Sequence, residues 1–221
     1  MKYIKALGLM SGTSMDGLDC GIFEIVLSHD YQLKWKCHGF KTLAYPAAIR
    51  RIIDQSLNGD TKAIRDINDK MGQIFVSLTK QLLENRSIDM IASHGQTIAH
   101  VDGISTTQIG NPHYLYKEYG VPVIYNFRQA DIDAGGNGAP LMPFLDWLLF
   151  KESRANIITL NLGGVANISY IPASGNREEV VGFDTGPGMA LIDECCNKFY
   201  GQAIDMDALH AIKGNIDETI L

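Results

Sequence analysis

Gly8-Leu9-Met10-Ser11-Gly12-Thr13-Ser14-Met15-Asp16-Gly17-Leu18-Asp19 is the stretch on which the reading of this chain turns. Tyr3 to Met10 is a lightly apolar run that reads as a first β-strand, and Cys20 to Leu27 reads as a second. Glycines, hydroxyls and two acids lie between them, so a tight turn joining two strands is expected. Gly12 and Gly17 allow close backbone approach and positive φ. Consecutive amides in such a turn form a concavity suited to phosphate oxygens. Asp16 and Asp19 would repel a bare anion, so they fit a phosphate that arrives with a divalent cation. The turn therefore reads as a Mg-nucleotide cradle, distinct from the GxxxxGK(S/T) loop and the GxGxxG fingerprint. A plain glycine-rich hairpin with a polar tip is the other reading.

Outward from this turn, the chain has the composition of a folded α/β protein. Its 221 residues are 46% hydrophobic, enough for one large domain or two small ones with real cores. Twenty-two glycines against seven prolines suit many sharp loops and not a disordered linker. A net charge of -6 and the absence of a Lys/Arg cluster argue against a nucleic-acid surface. Cys20, Cys37, Cys195 and Cys196 form no CxxC pair, so neither zinc nor a disulfide framework is suggested, and reduced thiols are expected. The N-terminal apolar stretch is broken too early for a signal sequence, and no uncharged run is long enough to span a bilayer. A soluble, cytoplasmic protein is expected.

Tyr31 to Lys41 reads as a third strand, and a helix is expected from Pro46 through Ile49, Ile52 and Ile53. Ile64, Ile67, Met71, Ile74, Phe75, Leu78 and Leu82 recur at steps of three and four, the mark of an amphipathic helix. Ile88 to Ala92 reads as a short buried strand that delivers Ser93-His94-Gly95-Gln96-Thr97 at its carboxyl end, where open α/β sheets place ligands. A histidine satisfied by backbone groups is the other reading of His94. Asn111-Pro112 is a helix start, and Val121 to Tyr125 is the next strand.

Phe127-Arg128 through Asp131 to Gly135-Gly136-Asn137-Gly138-Ala139-Pro140 follows, then an apolar helix carrying Leu141, Phe144, Leu145, Leu148 and Leu149. The Arg128 fork suits a ligand carboxylate or phosphate, with an Arg128–Asp131 ion pair as the structural alternative. Ile157 to Asn161, Gly163-Gly164 and Val165 to Ile171 form a second strand-glycine-strand unit that hints at an internal duplication. The strand Val180 to Phe183 delivers Asp184 beside Gly186-Pro187-Gly188 and a helix from Met189 to Phe199. Asp184 is placed there to abstract a proton, or to cap the helix. Asp205 to His210 reads as the start of another helix.

Four of these motifs together, Gly8 to Asp19, Ser93 to Thr97, Phe127 to Pro140 and Gly182-Phe183-Asp184-Thr185-Gly186-Pro187-Gly188, resemble the anhydro-N-acetylmuramic acid kinase family. Asn161-Leu162-Gly163-Gly164-Val165-Ala166-Asn167-Ile168-Ser169 matches a fifth family stretch, in the family's order. The resemblance implies an α/β protein of the actin, Hsp70 and sugar-kinase type (ribonuclease H-like): two lobes of mixed sheets flanked by helices, around a cleft that closes on ATP. The expected division is a first lobe at 1–138 and the opening of a second, incomplete lobe at 139–221.

The reaction implied is hydrolytic opening of 1,6-anhydro-N-acetylmuramic acid with phosphorylation of O6 by ATP and Mg²⁺, in recycling of the bacterial cell wall. Asp184 matches the family's base. Gly12, Thr13, Ser14, Met15, Asp16, Gly17, Leu18 and Asp19 are expected to hold the nucleotide phosphates, with Asp16 and Asp19 on the metal. His94, Gln96, Arg128, Asp131, Gly186 and Gly188 are expected at the sugar. Asn137, Met189 and Asn126 depart from the Gln, Asn and Asp usual in the family at those places. The family's proteins also continue past Leu221 with a further glycine-rich nucleotide motif. That length difference leaves a truncated, non-catalytic remnant that binds a muramic-type sugar or a partner chain as the alternative, with a homodimer, or a second chain completing the second lobe, as expected partners.

Overall fold

A computed structural model describes residues 2–12, 17–46, 48–49, 52–53, 61–84, 86–152 and 154–219. Thr13, Ser14, Met15 and Asp16, and most of the helix expected after Pro46, lie outside the described residues. The chain divides into two compact units, Met1–Leu141 and Met142–Leu221, against the boundary expected at 138/139.

The first unit is built on β1 (Ile4–Ser11), β2 (Gly17–Leu27), β3 (Leu33–Ala44), β4 (Met90–Val101), β5 (Ser105–Ile109) and β6 (Val123–Tyr125). Their order in the sheet is β3-β2-β1-β4-β5, with β6 also paired to β4. β1 and β2 are antiparallel from Ile4–Ile25 to Met10–Asp19, while β4 runs parallel to β1 and to β6. The sheet is therefore mixed. Its long helix, α1 (Thr61–Leu83), follows the three-and-four spacing read from the sequence and lays Ile67, Met71, Phe75 and Leu78 on the sheet. Leu7, Leu9, Leu18, Cys20, Ile22 and Ile91 meet it from the strands, and Ile49 and Ile53 close the same core. At α2 (Pro112–Tyr119) Asn111 caps the helix, its side chain accepting from the His113 amide at 3.0 Å, and Pro112 stands in the first turn. The segment after β6 begins with a short helix, α3 (Phe127–Asp133).

β4 departs from expectation. The strand does not end before the polar cluster but runs through it to Val101, because β5 folds back and pairs with its second half. Leu9 pairs with Ser93 but Ser11 pairs with Gln96, so β4 carries an extra residue opposite β1. Gly95 sits at that bulge with φ +75°, a conformation glycine adopts without a Cβ clash. Side chains normally alternate faces along a strand, and one inserted residue reverses the alternation. His94 is only half-buried, while Gln96 is fully buried among core residues.

The second unit contains α4 (Met142–Phe150), β7 (Ile157–Leu162), β8 (Val165–Ile171), β9 (Val181–Pro187) and α5 (Ala190–Tyr200). β7-β8-β9 is an antiparallel meander, the plan that β1, β2 and β3 also follow. Beneath it, Trp147 and Asp146 of α4 are buried; the Asp146 carboxylate accepts from Thr159 Oγ1 at 2.7 Å and Ser169 Oγ at 2.6 Å. Among the described residues after α5, short 3-10 turns at Met206–Ala208 and Ala211–Lys213 form in place of the helix expected from Asp205.

Candidate active site

In the first unit, Gly8, Met10, Asp19, Gly21, Phe40 and His94 border an open hollow of about 280 Å³ on the sheet face away from α1. Asp19 is not on the turn itself. It lies two residues into β2, opposite Met10, and its carboxylate accepts from Thr42 Oγ1 at 2.6 Å. Of the residues expected to hold phosphate or metal, the structure thus describes Gly12, Gly17, Leu18 and Asp19, and brings Asp19 to the same hollow as His94. Leu18 points the other way and is fully buried in the core. Only its backbone can serve a ligand.

His94 is fixed from both sides. Arg128 Nε donates to His94 Nε2 at 2.9 Å, which leaves the ring proton on Nδ1 to be donated to the Gly95 carbonyl at 2.9 Å. Burial pushes the imidazole below its ordinary 6.5; the Gly95 carbonyl opposes this, and the Arg128 charge adds to it. A neutral ring whose only lone pair is occupied is an anchor for Arg128, not a base. Arg128 Nη1 also donates to the Gly138 carbonyl at 2.8 Å, and Asp131 Oδ2 accepts from the Gly138 amide at 2.8 Å. Asp131 therefore organises the glycine loop that in turn holds Arg128.

Gln96, expected to meet a sugar, is fully buried on the opposite side of the bulge. Its Oε1 accepts from Ser11 Oγ, and its amide donates to the carbonyls of Gly12 at 2.9 Å and Thr97 at 3.2 Å. Tyr45 OH donates to Ser11 Oγ at 2.6 Å. Ser11 and Tyr45 were not singled out by sequence reasoning. The glycine at 95 inside a strand pattern was the one available signal, since it marks a bulge that puts 94 and 96 on different faces.

In the second unit, Asp184 is exposed within β9, opposite Asn167 of β8. The strand continues to Pro187 and α5 starts at Ala190 after Met189, so Asp184 is not the helix cap and Pro187 is not in the first turn. The reason is the glycine pair in the β7–β8 turn: Gly188 donates to the Gly164 carbonyl at 2.9 Å and Met189 to that of Gly163 at 2.8 Å, which ties the helix start to the turn. A Cβ on Gly188 would stand 2.3 Å from the Gly163 oxygen. Thr185 Oγ1 donates to the Ala166 carbonyl at 3.1 Å, holding the backbone beside Asp184. Gly186, with φ +130°, follows Thr185 and pairs with Ala166.

Among the described residues no three His, Cys, Asp or Glu side chains gather into a metal cage, and no helix is long and apolar enough to cross a membrane. Mg²⁺ needs less than a cage: one or two carboxylates, with water and substrate phosphates completing the shell. Asp19, at the border of an open hollow, fits that requirement.

The chain matches the family profile described as anhydro-N-acetylmuramic acid kinase over residues 3–221. It is 37% identical to the anhydro-N-acetylmuramic acid kinase of Clostridioides difficile (strain 630), over 98% of this chain and 60% of that protein. It is 35% identical to that of Bacillus thuringiensis subsp. konkukian, over 97% of this chain and 60% of that protein. The chain thus spans about 60% of the length of the curated relatives it matches. A crystal structure of the Aquifex aeolicus Ppx/GppA phosphatase aligns with 93% of this chain and 59% of its own, at 10% identity and a TM-score of 0.35, too low to assign a fold.

Proposed function

The chain belongs to the anhydro-N-acetylmuramic acid kinase family, and on that premise we propose that it opens 1,6-anhydro-N-acetylmuramic acid with water and phosphorylates the freed O6 from ATP. The step balances simply. Asp184 takes a proton from water as its oxygen bonds to the anomeric carbon; the bond from that carbon to O6 breaks; O6 bonds to the γ-phosphorus and ADP leaves. The product is N-acetylmuramic acid 6-phosphate, which places the activity in cell-wall recycling and in the cytoplasm, where ATP is supplied.

Phosphoryl transfer depends on positioning and charge neutralisation more than on covalent chemistry. When bound, Mg²⁺ neutralises phosphate charge, and Asp19 of the described residues, with Asp16 three positions before it in sequence, would hold it. The segment between β1 and β2 would supply backbone amides to the phosphates. Arg128, oriented by His94 and Gly138, presents a guanidinium plane for a sugar carboxylate, and the muramic lactyl group carries one. The three-strand meander repeated in each unit supports two lobes of the actin, Hsp70 and sugar-kinase type.

The observation that carries this reading is an exposed Asp184 on a strand whose neighbouring backbone is pinned by Thr185 and Gly188. An accessible carboxylate on a fixed backbone meets the geometric demand on a general base. Incubating the chain with ATP, Mg²⁺ and the anhydro sugar tests it by mass: a 6-phosphate product supports the kinase, and sugar binding without product supports the non-catalytic alternative.

A further inference from the structure

We propose that His100 is a positioning residue for Arg128: its ring props the Gly138 carbonyl that holds the guanidinium, so β4 grips Arg128 twice. What Arg128 then does for the sugar rests on the function proposed above. β4 carries two irregularities, one at Gly95 against β1 and one between Thr97 and Ala99 against β5. One inserted residue reverses the alternation of side chains, and a second restores it. His100 therefore returns to the side of the strand that carries His94. His94 accepts from Arg128 Nε at 2.9 Å, and further along the same strand His100 meets the loop that accepts from Nη1.

The contact is made at Gly138. A Cβ there would stand 3.0 Å from His100 Cε1 and 2.9 Å from Ile132 Cδ1, so the residue is wedged between the two side chains, at φ +78°. From that wedge Gly138 donates its amide to Asp131 Oδ2 and turns its carbonyl to Arg128 Nη1, both at 2.8 Å. The β4–β5 turn supports the same loop one residue earlier, Gly103 donating to the Asn137 carbonyl at 3.1 Å. Cε1 lies between the two ring nitrogens, so the polar edge of His100 is the one turned to the loop. Both nitrogens are buried. Asp102 Oδ1 is 3.0 Å from Nε2 but out of line for a hydrogen bond, and among the described residues neither nitrogen has a hydrogen-bond partner. Unpaired buried polar atoms are destabilising and call for a reason. Here the reason is what that edge holds in place, since such departures gather at functional sites.

The test compares the full chain with His100→Ala and, as the milder change, His100→Asn, whose amide stops short of the Cε1 position. Nitrogen NMR without ligand reads rotation about the Nε–Cζ bond of Arg128, its signal identified by its loss in Arg128→Ala. Affinity for the anhydro sugar is then titrated in a cycle of His100→Ala, Arg128→Ala and the double variant. The prop predicts rotation faster on the order of tenfold in both His100 variants, and sugar affinity weakened to a similar extent. It also predicts no further loss of affinity when His100→Ala is added to Arg128→Ala. Unchanged rotation in the folded His100 variants overturns the proposal. A His100→Ala loss that adds in full to that of Arg128→Ala overturns it as well, because His100 would then act on the sugar by some other route. A wild-type chain that binds no sugar counts against the proposed function alone, since the rotation of Arg128 decides the positioning without ligand.

Discussion

Arg128 and His94 share one hydrogen bond, Nε to Nε2 at 2.9 Å, and it commits the imidazole to its neutral form with the proton on Nδ1. The unfolded chain binds a proton on His94 near pH 6.5, while the folded chain, with a lower pKa, binds it only at more acid pH. The stabilisation is therefore fully present above about pH 6.5 and is lost as pH falls through the folded value. Urea midpoints measured from pH 7.5 downward should show an acid-side decline that is shallower in His94→Asn. Parallel profiles for the two proteins would refute the assignment.

Burial and the neighbouring Asp19 push the Cys20 thiol up to about 12, whereas Cys37 and Cys195 are exposed. Thiolate is the reactive form. Alkylation of the native chain at pH 8, read by peptide mass, should label Cys37 and Cys195 and leave Cys20 unmodified until denaturant is added.

Asp146 is a buried carboxylate whose partners are two hydroxyls, Thr159 and Ser169. Asp146→Ala strands both and should destabilise the second unit by about 1–3 kcal/mol. Asp146→Asn keeps an acceptor oxygen and should cost less. Trp147 is adjacent and donates to the Gly175 carbonyl at 2.9 Å, so its fluorescence in a Trp35→Phe background reports unfolding of this unit.

Gly188→Ala places a methyl carbon 2.3 Å from the Gly163 oxygen, a contact that can be relieved only by moving the start of α5 or the β7–β8 turn. A loss of about 1–3 kcal/mol is expected. Gly175→Ala serves as the control: no atom lies within 4 Å of its added Cβ, so its cost is confined to its positive φ.

Periodicity made much of this legible in advance. The step of three and four from Ile64 to Leu82 became Thr61–Leu83, and the first two apolar runs became β1 and β2. What failed were features in which distant residues overrule the local pattern. β4 was cut short because β5, which extends it, contributes partners that no local window contains. The family motif Ser93 to Thr97 implies that Gln96 meets the sugar beside His94, but the bulge at Gly95 puts the two on different faces, and only His94 borders the hollow. Its bond to Ser11 spans 85 positions in the chain, beyond any spacing rule. Asp146 went unnoticed although a lone carboxylate inside the apolar Met142–Phe150 helix was a usable signal, since buried charge is rare without partners.

The assignment of Asp184 as the group that takes the proton from water is tested most directly by the rate of N-acetylmuramic acid 6-phosphate formation in Asp184→Asn beside wild type, with Mg-ATP and sugar binding measured on both. The account predicts that wild type forms the product and that the variant binds both ligands yet turns over on the order of 10²–10⁴ more slowly. An Asp184→Asn chain that keeps the wild-type rate would contradict it.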